Sequence, residues 1–394
     1  MEIKPFEKKL NLATATMHEE ELKYIHEAFD TNWVTTVGEN LNQLEKGIKE
    51  KLGINGAVAL GSGTSALHLA VKLAGVKPGD IVFAQSLTFD ATVNPVMYEK
   101  GKLVFIDSEY DTWNMDPVAL EKAFEKYPEC KVVMTVNLYG TPSKLDEIRA
   151  ICDKHGAILI EDAAESLGAT YNSKQTGTFG QYNAISFNGN KIITTSGGGM
   201  LLTEDEASAE KARKWSTQAR DKAPWYEHTE LGYNYRLSNV LAGIGRGQLL
   251  HLQEHIDAKK AIYMRYKEGL KDLPITMNPY LSCSEPIYWL SCLTINKDAM
   301  CKHSRTETEY SYTHETGKSC PDEIRDVLEK YNIETRPIWK PMHMQPIYKD
   351  NDYISLETDV SRDIFDRGIC LPSDIKMTIE QQNVVIELIR SCFK

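Results

Sequence analysis

Three short segments of this chain carry side chains suited to one chemistry. In Leu60-Gly61-Ser62-Gly63-Thr64-Ser65-Ala66-Leu67 an apolar run gives way to small residues and then to a helical pattern. Such a junction offers backbone N–H groups and hydroxyls at a helix N-terminus, which suits a phosphate. Taken alone, it reads as the punctuation of an ordinary βα loop. In Ile158-Leu159-Ile160-Glu161-Asp162-Ala163-Ala164-Glu165 an acidic pair closes an apolar strand. Functional residues of open α/β sheets collect at such carboxyl ends, although a helix cap or a solvated strand end has the same look. In Ile185-Ser186-Phe187-Asn188-Gly189-Asn190-Lys191 a lysine stands just beyond a buried strand, followed by Gly197-Gly198-Gly199. A desolvated lysine acts as a nucleophile, whereas most lysines are simply on the surface. Together the three segments meet the needs of pyridoxal phosphate. A cradle holds its phosphate, a carboxylate keeps its pyridine nitrogen protonated, and a lysine condenses with its aldehyde.

Composition limits the alternatives. Of 394 residues, 42% are hydrophobic and 26% charged, the balance of a globular protein. Lys and Arg number 45 against 56 Asp and Glu, a net charge of −11. That balance gives no electrostatic footprint for nucleic acid or anionic lipid, so any bound anion must be captured by local geometry. The opening MEIKPFEKKL lacks the apolar run of a secretory leader, and no apolar stretch approaches the about 18 residues of a membrane span. Eight Cys without a Cys-x-x-Cys pair fit reduced thiols in a cytoplasm.

The elements that must position these residues are legible as periodicity. Seven apolar runs read as strands: 57–60, 81–85, 103–107, 132–138, 157–161, 183–187 and 199–203. Helical spacing separates the first five, as in 65–74, 117–127 and 144–155. This alternation predicts βαβ units on a mostly parallel seven-stranded sheet, with part of it antiparallel because no helix separates the last two runs. Leu41, Leu44, Ile48 and Leu52 predict a helix before the sheet. Thr203 and Glu206 predict a capping box after it, and the spacing predicts one long helix over about 238–270. The final helix starts from Thr378 with Gln381 reaching back, and the polar stretch 302–319 reads as a loop. The chain divides into a large domain, 1–250, and a smaller α+β C-terminal domain, 251–394.

On these segments, with Gly-Tyr-Asn-Tyr-Arg-Leu-Ser-Asn at 232–239, the chain resembles the DegT/DnrJ/EryC1/StrS family of pyridoxal-phosphate-dependent nucleotide-sugar aminotransferases over about residues 14–394. The resemblance implies the aspartate-aminotransferase-like architecture, fold type I. It is greatest for the branch that makes UDP-4-amino-sugars in the bacillosamine pathway, through residues 188–200, 216–220 and 335–343. It implies that Lys191 is the lysine bonded to the cofactor and Asp162 the partner of the pyridine nitrogen. Thr64, Ser65 and Ser186 are implied as phosphate contacts, Phe89 stacked on the ring, Glu165 near the cofactor hydroxyl, and Gly63, Ala164 and Asn188 as further cofactor-binding residues. Glu165 stands where many members carry Gln or His, and a carboxylate there resembles the bacillosamine branch. Asn234 resembles an asparagine that reaches the neighbouring subunit's phosphate, which implies a homodimer with shared active sites. Members that act as sugar dehydratases have His in place of Lys191, so transamination is implied, with L-glutamate as donor and Lys191 moving the proton.

For the sugar nucleotide, the resemblance implies Arg336, Trp339 and His343, together with Thr35 and Thr36. An arginine clamps a pyrophosphate bidentately. Arg220, Arg236 and Arg336 all remain candidates for the donor carboxylate. The expected substrate is a UDP-linked 4-keto-6-deoxy-N-acetyl sugar. The alternatives are a 3-keto sugar or a dTDP or GDP carrier, and, from another class, a cofactor-binding regulator without turnover. Cys301, His303, His314 and Cys320 fit no standard zinc spacing, so no metal is expected.

Overall fold

The computed structural model describes residues 3–306 and 308–394. Eight strands, β1 to β8 in chain order, form the main sheet. They are Gly56–Leu60, Ile81–Gln85, Lys102–Ile106, Val132–Val136, Ile158–Asp162, Tyr182–Ser186, Gly199–Thr203 and Asp352–Ile354. Their order across the sheet is β1-β7-β6-β5-β4-β2-β3-β8. Only β7 runs against its neighbours, pairing antiparallel with both β1 and β6. The sheet is therefore mixed and mostly parallel. It has eight strands rather than the expected seven, because β8 adds parallel to the β3 edge.

The strands form because their apolar residues serve two faces at once. In β1, Val58 and Leu60 enter one apolar cluster while Ala57 and Ala59 enter another on the opposite face. In β3, Leu103 and Phe105 split from Val104 and Ile106 in the same way. A strand covered on both sides reads as a continuous apolar run, which is the pattern the sequence shows.

The helix Gly63–Leu73 begins where β1 ends, capped by the Ser62 hydroxyl, which accepts from Ser65 N at 3.0 Å. The expected helix over 238–270 is two helices, Asn239–Leu250 and Leu252–Gly269, interrupted at His251. The helix after β7 is capped by Asp205, which accepts from Ala207 N and Ser208 N, and not by Thr203. The Thr378 and Gln381 capping box forms as expected.

A second, four-stranded antiparallel sheet is built from Ile275–Met277, Ser291–Ile295, Gly368–Leu371 and Arg336–Pro337. It packs with the helices Leu252–Gly269, Pro321–Lys330 and Ile379–Ser391 around its own apolar cluster. Leu10 enters that cluster from the start of the chain. The stretch read as a loop is a hairpin, Lys302–Arg305 paired with Tyr310–Thr313. No helix of the described residues is long and apolar enough to cross a membrane. All eight cysteines are free thiols.

Candidate active site

The carboxyl ends of β1, β4, β5 and β6 open on a cavity of about 390 Å³. Gly63 and Thr64 form part of its wall at the start of the Gly63–Leu73 helix. Ser62 satisfies the next donors of that helix, since its hydroxyl and carbonyl accept from Ser65 N and Ala66 N. The N–H groups of Gly63 and Thr64 precede the helix's own ladder, as the first donors of any helix do. Three loops crowd this corner. A Cβ at Gly199 would lie 2.4 Å from Gly63 N, and one at Gly63 would lie 3.1 Å from Ser186 Cβ. The glycines thus let the β1 loop close on the end of β6, which makes a small cradle of N–H groups with the Ser186 hydroxyl beside it.

The acidic pair divides its labour. Glu161 points away from the cavity and accepts from Asn137 Nδ2, Gly177 N and Phe179 N at 2.7, 2.8 and 2.9 Å, which holds the loop that follows β5. Asp162 faces the cavity. Its Oδ2 accepts from Thr92 Oγ1 at 2.7 Å and its Oδ1 from Ala164 N at 3.0 Å. Burial pushes its carboxyl above the usual range, against the pull of Thr92 and Ala164. A carboxylate in that position gains by facing a cation.

Lys191 follows a turn in which its N–H reaches Asn188 O at 3.0 Å. Its Nζ donates to Glu165 Oε1 at 3.1 Å and stands 4.2 Å from the centre of the Trp289 ring. Glu165 Oε2 accepts from Tyr139 N at 2.7 Å. Burial pushes the Glu165 carboxyl up, and the Lys191 charge opposes that. Phe89 and Trp339, 5.2 Å apart, form an aromatic wall, and Tyr139 stands 5.2 Å from Trp339. An amine, a carboxylate pair, a cradle of N–H groups and an aromatic wall share one cavity. That donor set fits pyridoxal phosphate.

Of the residues singled out from sequence, Gly63, Thr64, Phe89, Asp162, Ala164, Glu165, Ser186, Asn188, Lys191 and Trp339 line this cavity. Ser65 does not, and its hydroxyl pairs with Ser62 Oγ at 2.8 Å. Asn234 is exposed and bridges to Thr217 outside the cavity. Thr35 and Thr36 are exposed, with Thr35 O accepting from Asn239 N at 2.7 Å. His343 is occupied by Ser86 Oγ at 2.7 Å and Asp359 Oδ2 at 3.1 Å. Arg336 lies on the rim of an adjoining cavity of about 550 Å³, paired with Glu334 at 2.7 Å. Among the three arginines considered for the donor carboxylate, Arg236 is taken up by Glu45 at 2.5 Å and by Ala59 O at 3.0 Å. Arg220 is exposed beside the Tyr226 ring.

His303 and His314 bond Asp322 and Glu323, at 2.6 and 2.7 Å. Among the described residues no group of three or more His, Cys, Asp or Glu is arranged to hold a metal ion. Sequence reasoning missed Thr92, Tyr139 and Trp289. Thr92 follows Phe89 at one helical turn, a local signal for a shared site. Tyr139 and Trp289 carry no local signal, since tertiary packing alone brings Trp289 to Lys191 and Tyr139 to Glu165.

Comparison with known proteins agrees with this geometry. The sequence profile described as the DegT/DnrJ/EryC1/StrS aminotransferase family matches residues 15–390. The Bacillus subtilis (strain 168) protein EpsN, named as a pyridoxal phosphate-dependent aminotransferase, is 47% identical over 98% of this chain and 96% of its own length. A GDP-perosamine synthase of Caulobacter vibrioides is 33% identical over 86% of this chain and 87% of its own. The crystal structure of the aminotransferase TlmJ from Streptoalloteichus hindustanus superposes with a TM-score of 0.85 at 25% identity, covering 97% of this chain and 98% of that one.

Proposed function

The chain belongs to the DegT/DnrJ/EryC1/StrS aminotransferase family, and from that membership we propose that it moves an amino group from L-glutamate to the C4 ketone of a UDP-linked 4-keto-6-deoxy-N-acetyl sugar, releasing 2-oxoglutarate and a UDP-4-amino-sugar. It is a pyridoxal-phosphate-dependent sugar aminotransferase of fold type I. The observation that carries the proposal is the juxtaposition of Lys191, Asp162 and the Gly63 and Thr64 cradle in one cavity.

When bound, pyridoxal phosphate supplies an electron sink for the carbon that bears the amino group. The Gly63 and Thr64 N–H groups and the Ser186 hydroxyl would hold its phosphate at the helix N-terminus, without any net positive protein charge. Asp162, held by Thr92 and Ala164 N, would pair with the pyridine nitrogen and keep it protonated. Lys191 Nζ would take the proton from the donor carbon and deliver it to C4′ of the cofactor, acting as base and then as acid. Glu165 keeps that amine at the cavity wall. Phe89, paired with Trp339, would stack on the cofactor ring. Arg336, on the rim, suits the pyrophosphate of the sugar nucleotide.

Two surface features support a homodimer. Phe29, Trp33, Val34 and Val37 are exposed, as are Trp225, Tyr226 and Leu231. Apolar side chains left in water in such numbers favour a partner surface. Asn234, exposed near the second group, then serves the partner's phosphate. Eight free thiols support a cytoplasmic location.

The GDP-perosamine synthase relative favours a second reading, the same reaction on a GDP-linked keto-sugar. The test is to load the amine form of the cofactor and offer keto-sugar nucleotides one at a time, following its absorbance at ~330 nm, which reports the cofactor's own state. Bleaching by the UDP-linked 4-keto sugar supports the proposal. Bleaching only by a GDP-linked, dTDP-linked or 3-keto sugar overturns it.

A further inference from the structure

We infer that Trp289 is a further residue of the reaction site, whose indole holds the Lys191 amine in the cavity, and that the buried Lys259 positions this indole by holding the Trp289 carbonyl. The inference rests on the reading that Lys191 bears the cofactor.

Trp289 meets Lys191 twice. Its ring faces Lys191 Nζ at 4.2 Å, a distance at which an aromatic face attracts a cation. Its Nε1 donates to Asn190 O at 2.7 Å, so the same indole is fixed to the residue before the lysine. The residue after the lysine is held as well, because His255 Nδ1 donates to Ile192 O at 2.8 Å. The backbone on both sides of the amine-bearing residue is thus tied down by buried side chains from beyond the main sheet. The indole itself has little freedom. It is 3% exposed, nearly parallel to the Tyr139 ring at 6.3 Å, and 6.4 Å from Trp339.

Lys259 lies behind this arrangement on the helix Leu252–Gly269. It is buried, yet it takes no carboxylate as a direct partner among the described residues. Its Nζ donates to Trp289 O at 3.0 Å and to Ser373 O at 2.5 Å. Burial pushes its amine down to about 8, with Asp374 as the one charge that opposes this. Burying an amine against two neutral carbonyls is costly, and an apolar side chain would fill the same space more cheaply. The carbonyls it holds are what distinguish it from such a filler. Lys259 also walls a narrow void together with Lys191, His255 and Thr16, so it stands directly behind the catalytic loop.

The test is the rate at which the apoenzyme captures pyridoxal phosphate, a step in which the Lys191 amine condenses with the aldehyde and releases one water. Binding of pyridoxine 5′-phosphate, which has no aldehyde, reports the cradle alone. Trp289→Leu is expected to slow capture about ten-fold while pyridoxine phosphate binding stays unchanged, since a small misplacement of a reacting group is costly. Trp289→Phe, which keeps a ring face, loses less than about three-fold. Lys259→Met slows capture and Lys259→Arg restores it. Capture by Trp289→Leu at the parent's rate overturns the inference, as does an equal weakening of pyridoxine phosphate binding. If Trp289→Leu does not fold, equal capture rates in Lys259→Met and Lys259→Arg overturn it instead. If the parent shows no capture that Lys191→Ala abolishes, the aminotransferase reading fails and the inference falls with it.

Discussion

Lys191 Nζ and Glu165 Oε1 meet at 3.1 Å inside the cavity, and the other Glu165 oxygen is fixed by Tyr139 N at 2.7 Å. The carboxylate is therefore an immobile acceptor for the amine. Glu165→Gln keeps an oxygen for one of these contacts and removes the charge. Because hydrogen bonds to charged groups are worth about 1.5–3 kcal/mol, amine transfer is expected to slow by about ten-fold or more. Single-turnover kinetics with the fold checked by circular dichroism measure this. An unchanged rate assigns Glu165 a packing role only.

Asp162 offers a sharper loss. Its carboxylate is held by Thr92 and Ala164 N and is the group proposed to pair with the pyridine nitrogen. Asp162→Asn is expected to lower kcat by about 100-fold or more, the scale of losing a preorganised electrostatic partner. Steady-state assays at saturating substrate show it as a kcat effect.

The arginines separate into two kinds. Arg236 is 8% exposed and shares the buried Glu45 with Arg213. Removing it leaves that carboxylate with fewer partners, so Arg236→Ala is expected to cost about 3 kcal/mol of stability. Arg336, at 66% exposure, makes only a surface pair with Glu334, worth about 0–1 kcal/mol. Arg336→Ala is expected to leave the melting temperature unchanged and to raise KM for the sugar nucleotide about ten-fold, as loss of a charged hydrogen bond does. Paired melting and KM measurements on the two variants distinguish these roles.

What the sequence made legible follows from where each signal resides. The strands β1 to β7 are readable because each is a mostly buried, largely apolar run next to a Gly or Asn turn. The edge strand β8, Asp352–Ile354, is three residues long and half exposed, so it shows no run. The break at His251 was hidden because Leu249, Leu252 and Ile256 keep helical spacing across it. The hairpin at 302–313 was hidden because its strands, Lys-His-Ser-Arg and Tyr-Ser-Tyr-Thr, bury no apolar face. At the site, the cradle, Asp162 and Lys191 each lie at the end of a strand and carry a local pattern. Trp289 reaches Lys191, and Tyr139 reaches Glu165, only through packing of distant segments.

That hairpin has its own stability signature. Asp322 accepts from His303 Nε2 and Arg305 Nε, both at 2.6 Å, and lies 3.0 Å from Arg325 Nη1. Burial opposes its charge, but the His303 and Arg305 hydrogen bonds outweigh this and hold the carboxyl at about 2. Its folded value thus lies below the unfolded one of about 3.9, so the stabilisation is complete above that value and is lost as pH falls toward 2. Asp322→Asn is expected to cost roughly 2 kcal/mol at neutral pH, with the difference shrinking below pH 4. Urea unfolding at pH 7 and pH 3 reads it.

The central claim is that Lys191 carries the cofactor and the proton. Its most direct measurement is the absorbance spectrum and turnover of Lys191→Ala, loaded with pyridoxal phosphate beside the parent. The account expects the lysine-dependent absorbance band to vanish and transamination to fall to background, with the melting temperature preserved. A variant that keeps the band and transfers the amino group at the parent's rate contradicts it.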